Sequence, residues 1–178
     1  MKKICFFIFI FMFASSSYAQ FAGALNSFEK STGETNQKKN LLIIDFGLGL
    51  NSPGDGTILN VGLHDIYKFN SNIGWDVLGI NAIVSTDNLE NWILQPMTGL
   101  YLESNKVSGF SFYTDTRIGY AFDSRDIDFS ADDLGYSLDI TVGLNINSYL
   151  NMGYTYNYIH RGSVRDSRIH FLRVGYRF

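Results

Sequence analysis

Near its end the chain reads His160-Arg-Gly-Ser163-Val-Arg-Asp166. An imidazole, a hydroxyl and a carboxylate are the residue types of acyl transfer, in the roles of base, nucleophile and orienting acid. That chemistry needs all three groups in mutual reach. Asp166 is badly spaced for the third role, so the three read as rim residues of a loop. A second candidate is the run from Asp123 to Asp133, with five aspartates and one arginine. Oxygen-rich loops hold Ca²⁺ or Mg²⁺, but this one lacks the glycine and closing glutamate of an EF-hand, and it reads as a solvated acidic loop. His64 stands alone, and no zinc-ligand spacing occurs. No catalytic, cofactor-binding or metal-binding set is therefore assigned.

The elements around these residues alternate with a period of two, which places successive side chains on opposite faces of a strand. Eight such segments follow one another, at about 41–51, 57–69, 72–85, 91–103, 107–122, 134–147, 149–160 and 167–178. Each is long enough to cross a membrane at a tilt. The connections at 70–71, 103–106 and 147–148 are short, and those at 52–56, 86–90, 123–133 and 161–166 are longer. Short turns on one rim and longer loops on the other describe an up-and-down barrel, with both ends of the chain on the short-turn rim. Weak alternation over Ile80–Val84 predicts a bulge or register shift there. Pro96, which cannot donate a ladder hydrogen bond, predicts a second.

Residue size decides which face is inside. In the sixth segment one face carries Leu134, Tyr136, Leu138, Ile140, Val142, Leu144 and Ile146. The other carries Gly135, Ser137, Asp139, Thr141, Gly143, Asn145 and Asn147, without the Lys and Glu of a soluble surface. Small polar residues suit the tight interior of an eight-stranded barrel, and the apolar face then meets lipid. A soluble lipocalin-like barrel, apolar inside, is the competing arrangement. The transmembrane reading places Asp45, Asp76, Asp115, Arg117, Asp139, Arg173 and Arg177 inside, with Glu103 near the periplasmic rim. Unpaired charge in so narrow a space is very costly, so these groups are expected to pair and to plug the lumen. A narrow pore is the alternative.

Residues 1–19 read as a Sec signal peptide: Lys2 and Lys3, ten apolar residues from Ile4 to Phe13, then a small-residue cleavage site ending at Ala19. The one cysteine, Cys5, lies within it, so the mature chain has no thiol chemistry. Residues 20–40 are a polar periplasmic lead, and 41–178 are the barrel domain. Loss of the signal leaves 12 basic against 17 acidic residues, which excludes a nucleic-acid partner.

The last strand runs Arg168-Ile-His-Phe-Leu-Arg-Val-Gly-Tyr-Arg-Phe178, with Leu172, Val174, Tyr176 and Phe178 on one face. It resembles the closing strand of small OmpX-like and OmpA-like outer-membrane barrels. His170 departs from the pattern at the next apolar position. The resemblance implies an assembly signal at those four residues, read by the barrel-insertion machinery after passage with periplasmic chaperones. Outer-membrane lipid A deacylases also are eight-stranded barrels with His and Ser near the outer rim. Here Ser163 lies three residues after His160 rather than two, and no glutamate follows at a suitable distance. Arg161, Arg165 and Arg168 cluster at one rim, either to hold lipopolysaccharide phosphates, which Arg reads bidentately, or as ordinary snorkelling charge. The chain therefore reads as all-β: an eight-stranded antiparallel transmembrane up-and-down barrel of a Gram-negative outer membrane, monomeric and not an enzyme. A structural or surface-interaction role leads, and a lipid-A-modifying hydrolase or narrow pore follows.

Overall fold

The computed structural model describes residues 40–50, 57–86, 92–124, 135–161 and 164–178. The signal and almost all of the lead lie outside them, as does most of the acidic loop after Asp123. Alternating runs rich in β-branched and aromatic residues form eight strands. They are β1 (Asn40–Gly49), β2 (Ile58–Lys68), β3 (Ile73–Ser85), β4 (Trp92–Glu103), β5 (Phe110–Asp123), β6 (Gly135–Ile146), β7 (Leu150–Arg161) and β8 (Val164–Arg177). Each pairs antiparallel with the next, and β1 pairs with β8 from Ile43↔Arg177 to Gly49↔Phe171, closing the barrel.

The exterior is apolar. Phe46, Phe112 and Ile118 are each more than 60% exposed, and Leu172, Val174, Tyr176 and Phe178 also point outward. So continuous an apolar surface marks a lipid or protein interface. Turn chemistry shapes the short rim. Asn70 Oδ1 accepts the backbone N–H groups of Asn72 and Ile73, both at 2.8 Å, in the β2–β3 turn. Asn147 takes a positive φ of 59° in the β6–β7 turn, a conformation Asn tolerates.

Three expectations need correction. The register shift falls at Val77–Leu78, before Ile80: three steps from Asp76 to Gly79 oppose two from Gly99 to Met97. That extra residue changes the parity of β3, so Asp76 and Asn81 both face inward. Thr98 Oγ1 donates to the Asp76 carbonyl at 2.7 Å, which satisfies a group the bulge frees. Pro96 causes no bulge. It pairs in register with Ile80, and only the ladder to β5 is interrupted, at Gln95 and Pro96. The last long connection is also shorter than expected, because β7 and β8 run on to Arg161 and from Val164, with a shift between Ile159 and Arg161.

Two similar edge-to-face aromatic pairs stand near the short-turn rim: Tyr176–Phe178, with ring centroids 4.8 Å apart, and Tyr67–Phe69, at 5.5 Å. They separate packing from recognition. If the terminal strand is an assembly signal, changing Tyr176 and Phe178 to Ser is expected to lower membrane insertion well below the same change at Tyr67 and Phe69. Heat-modifiable gel migration reads the difference, and equal losses would reduce the terminal strand to packing alone.

Candidate functional site

The barrel interior is layered. At its middle, β1, β2, β3, β5, β6 and β8 each contribute charge. Asp45, His64, Asp76, Asp115, Arg117, Asp139 and Arg173 are all buried. Asp139 Oδ2 is the hub: it accepts from Arg117 Nη2 at 2.9 Å, Arg173 Nη2 at 3.0 Å and Asn81 Nδ2 at 2.8 Å. Arg117 Nε lies 3.3 Å from Asp115 Oδ2, and its Nη1 meets the His64 ring. His64 Nε2 in turn is 2.9 Å from Asp45 Oδ2. Asp76 is held by charge more than by directed bonds, with His64 Nδ1 at 3.2 Å and Arg117 Nη1 at 3.7 Å from Oδ2.

Glycines make room for this cluster. A Cβ at Gly62 would stand 2.5 Å from Asp45 Oδ1 and 2.6 Å from His64 Nε2. One at Gly79 would meet Asp76 Oδ2 and His64 Nδ1 at 3.0 and 3.1 Å. The sequence alone leaves His64 isolated, because its partners come from three other strands. The available signal was its place on the polar face of β2, between Gly62 and Ile66.

Arg177 belongs elsewhere. It joins a second network at the short-turn rim, with Nη2 3.1 Å from Glu103 Oε2. Glu103 also accepts from Lys68 Nζ at 2.7 Å, Ser111 Oγ at 2.7 Å and Tyr101 OH at 3.2 Å. The end of β8 is thereby tied to β2, β4 and β5. Leu41, Ile43, Ile66, Tyr101 and Tyr113 form an apolar cluster in the same half. At the opposite end the interior turns apolar again, with Ile58, Ile83, Ala121, Ile159, Ile169 and Phe171 packed together.

The long-loop rim carries the other candidate chemistry. Because β7 and β8 extend further than the spacing suggested, Asp166 faces His160 across the two strands. His160 Nδ1 is 2.8 Å from Asp166 Oδ1, and Tyr158 OH donates to Asp166 Oδ2 at 2.7 Å. The Tyr136 ring stacks on His160 at 4.6 Å. An acid bonded to Nδ1 fixes the ring and leaves Nε2 for other work. Asp166 is thus well placed toward His160, against the spacing argument. Ser163 and the side chains of Arg161 and Arg165 lie outside the described residues. Arg168 is exposed on the outer wall, on the face that carries Asp166.

No family model and no curated protein matches this sequence. Among solved structures the chain is similar to Neisserial surface protein A, at 16% identity and a TM-score of 0.59 over 80% of this chain and 98% of that one. It is also similar to the outer membrane enzyme PagL, at 13% identity and a TM-score of 0.48 over 78% and 98%. A third is the Yersinia pestis outer membrane protein Ail, at 14% and 0.46 over 78% and 99%. At such identities the shared content is the fold. This chain has the closed eight-stranded antiparallel fold of the small outer-membrane barrels.

Breaking a buried ion pair by removing one partner strands the other charge, at about 3–5 kcal/mol. Arg117→Met leaves the carboxylates of Asp76, Asp115 and Asp139 facing a methyl group. It is expected to destabilise the barrel by about that amount, read as a lower urea midpoint in detergent. A midpoint within error of the parent would show that the cluster does not contribute to stability.

Proposed function

We propose that this chain is an outer-membrane surface protein with a sealed lumen, whose structural or surface-interaction role resides on its outer rim and wall. One observation carries the reading: side chains from opposed strands meet across the interior. Asn81 of β3 bonds Asp139 of β6, and Gln95 of β4 and Asn157 of β7 exchange amide bonds at 3.1 and 3.3 Å. Tyr101 of β4 accepts from Asn145 of β6 at 3.1 Å. Such contacts support a lumen filled by side chains, not by a water column. The apolar exterior and the fold support insertion in the outer membrane, with residues 1–19 as the export signal. In this reading the chaperones and insertion machinery act on a monomer and read Leu172, Val174, Tyr176 and Phe178. Arg161, Arg165 and Arg168 then meet lipopolysaccharide phosphates at the outer rim.

Purified protein in planar bilayers is expected to show little or no conductance. Large, steady, ohmic currents would overturn the sealed-lumen reading and make the Asp and Arg residues of the cluster pore-lining groups.

The His160–Asp166 contact favours a second reading, an interfacial ester hydrolase acting on lipid A, with His160 as base, Asp166 as its orienting acid and Ser163 as nucleophile. Mass spectrometry of lipid A from cells with and without the protein separates the two. The first reading expects unchanged acylation. Loss of an acyl chain that disappears in Ser163→Ala and His160→Ala would establish the second in its place.

A further inference from the structure

The outer wall is not uniform. Strand register sets the outward side chains of β6, β7 and β8 in rows. The row nearest the long-loop rim holds Tyr136, His160 and Asp166. The next aligns Leu138, Tyr158 and Arg168, and the third aligns Ile140, Tyr156 and His170. Below them the wall turns aliphatic, as in the row of Leu144, Met152 and Val174. A polar strip therefore descends from the rim along β7 and β8.

It is internally bonded. His170 Nδ1 contacts Tyr154 OH one row lower, while Tyr158 OH and His160 hold Asp166. An interfacial girdle would continue polar or aromatic groups into the neighbouring strands. Here the strip is local. In the register row of His170, β6 presents Ile140, and Leu50, just past the end of β1, donates its N–H to the His170 carbonyl at 2.7 Å. Leu50 is 53% exposed. Polar side chains directed at hydrocarbon are costly unless something polar covers them.

We infer that the strip is a binding site for one outer-leaflet glycolipid, with its phosphorylated diglucosamine headgroup on the upper rows and an acyl chain along the aliphatic rows below. The chemistry fits such a ligand. Arg168, His160 and His170 can donate to phosphate, and the strip's one acid among the described residues, Asp166, is engaged by Tyr158 and His160. Tyr rings offer an apolar face with a wet edge, suited to the boundary between sugar and chain. The site deepens the outer-wall reading above. It does not need the arginines whose side chains are undescribed, and it needs no reaction.

The test is native mass spectrometry of the mature, detergent-purified barrel with bis-phosphorylated lipid A or with phosphatidylethanolamine. One lipid A is expected to stay bound at concentrations about tenfold below those needed for phosphatidylethanolamine. The double change Tyr158→Leu and His170→Leu makes the strip aliphatic like its flanks. It is expected to weaken lipid A binding about tenfold and to leave phosphatidylethanolamine binding unchanged. Tyr154→Phe, which removes only the hydroxyl on His170, is expected to fall between. Equal retention of the two lipids by the parent, unchanged lipid A binding by the double variant, or a protein dimer through this face would each overturn the site. Conductance and outer-membrane fractionation of the same variants report separately on the sealed-lumen reading, so either proposal can fail alone.

Discussion

Every backbone N–H and C=O in hydrocarbon must find a protein partner, and this requirement governs the rest of the molecule. Eight strands satisfy it only if β1 meets β8, and the seam does so through inside positions that alternate large with small. Asp45 faces Gly175, and Gly47 faces Arg173. A Cβ at Gly175 would stand 2.9 Å from Asp45 Cβ and 2.3 Å from Asn151 Oδ1. Closure thus dictates glycine at positions that would otherwise be free in composition, and it leaves a lumen that side chains must fill.

Filling a narrow lumen with charge gives no certain gain in stability, because desolvation offsets most of the Coulomb attraction. It does discriminate between registers. A slip of one residue in the register of β5 or β6 would carry Arg117 or Asp139 from the inside to the lipid face. Charge at that depth costs about 2–4 kcal/mol for an Arg or Lys, in addition to the partner left unpaired inside. Asp139, which collects donors from β3, β5 and β8, makes the registers of four strands depend on one another. The Glu103 network does the same for the end of β8.

Much of this was legible in the sequence because the alternation has one period and the lumen admits few side chains. Strand number, strand order, the short turns and the polar face of β6 follow from spacing alone. Three features did not. The parity change in β3 depends on one extra residue at Val77, and no composition signal marks it among Gly74-Trp-Asp-Val-Leu-Gly79. The role of His64 depends on Asp45, Asp76 and Arg117, which closure brings together from remote segments. The meeting of His160 with Asp166 depends on how far the β7–β8 ladder continues. Gly162 and Ser163 read equally well as part of a long loop or as a tight one.

The two faces of β7 and β8 then carry different information. Their inner residues, from Arg173 to Phe171 and Ile169, pass from the charged layer into an apolar one as the strands approach the long-loop rim. Their outer residues pass the other way, from Val174 and Leu172 to His170, Arg168 and Asp166. The reversal fits the polar strip proposed above: an apolar interior holds the wall together at this end, and the outer residues offer hydrogen-bonding groups to a bound headgroup. Beside His170, Leu50 and Ile140 stay aliphatic. The β7–β8 sector presents hydrogen-bonding groups where its neighbours still present hydrocarbon. A rigid strand pair, held by Phe171 and Ile169 from within, therefore positions the His160–Asp166–Tyr158 contacts more firmly than a loop could. In the glycolipid-site proposal, that wall is where specificity for an outer-leaflet molecule is built.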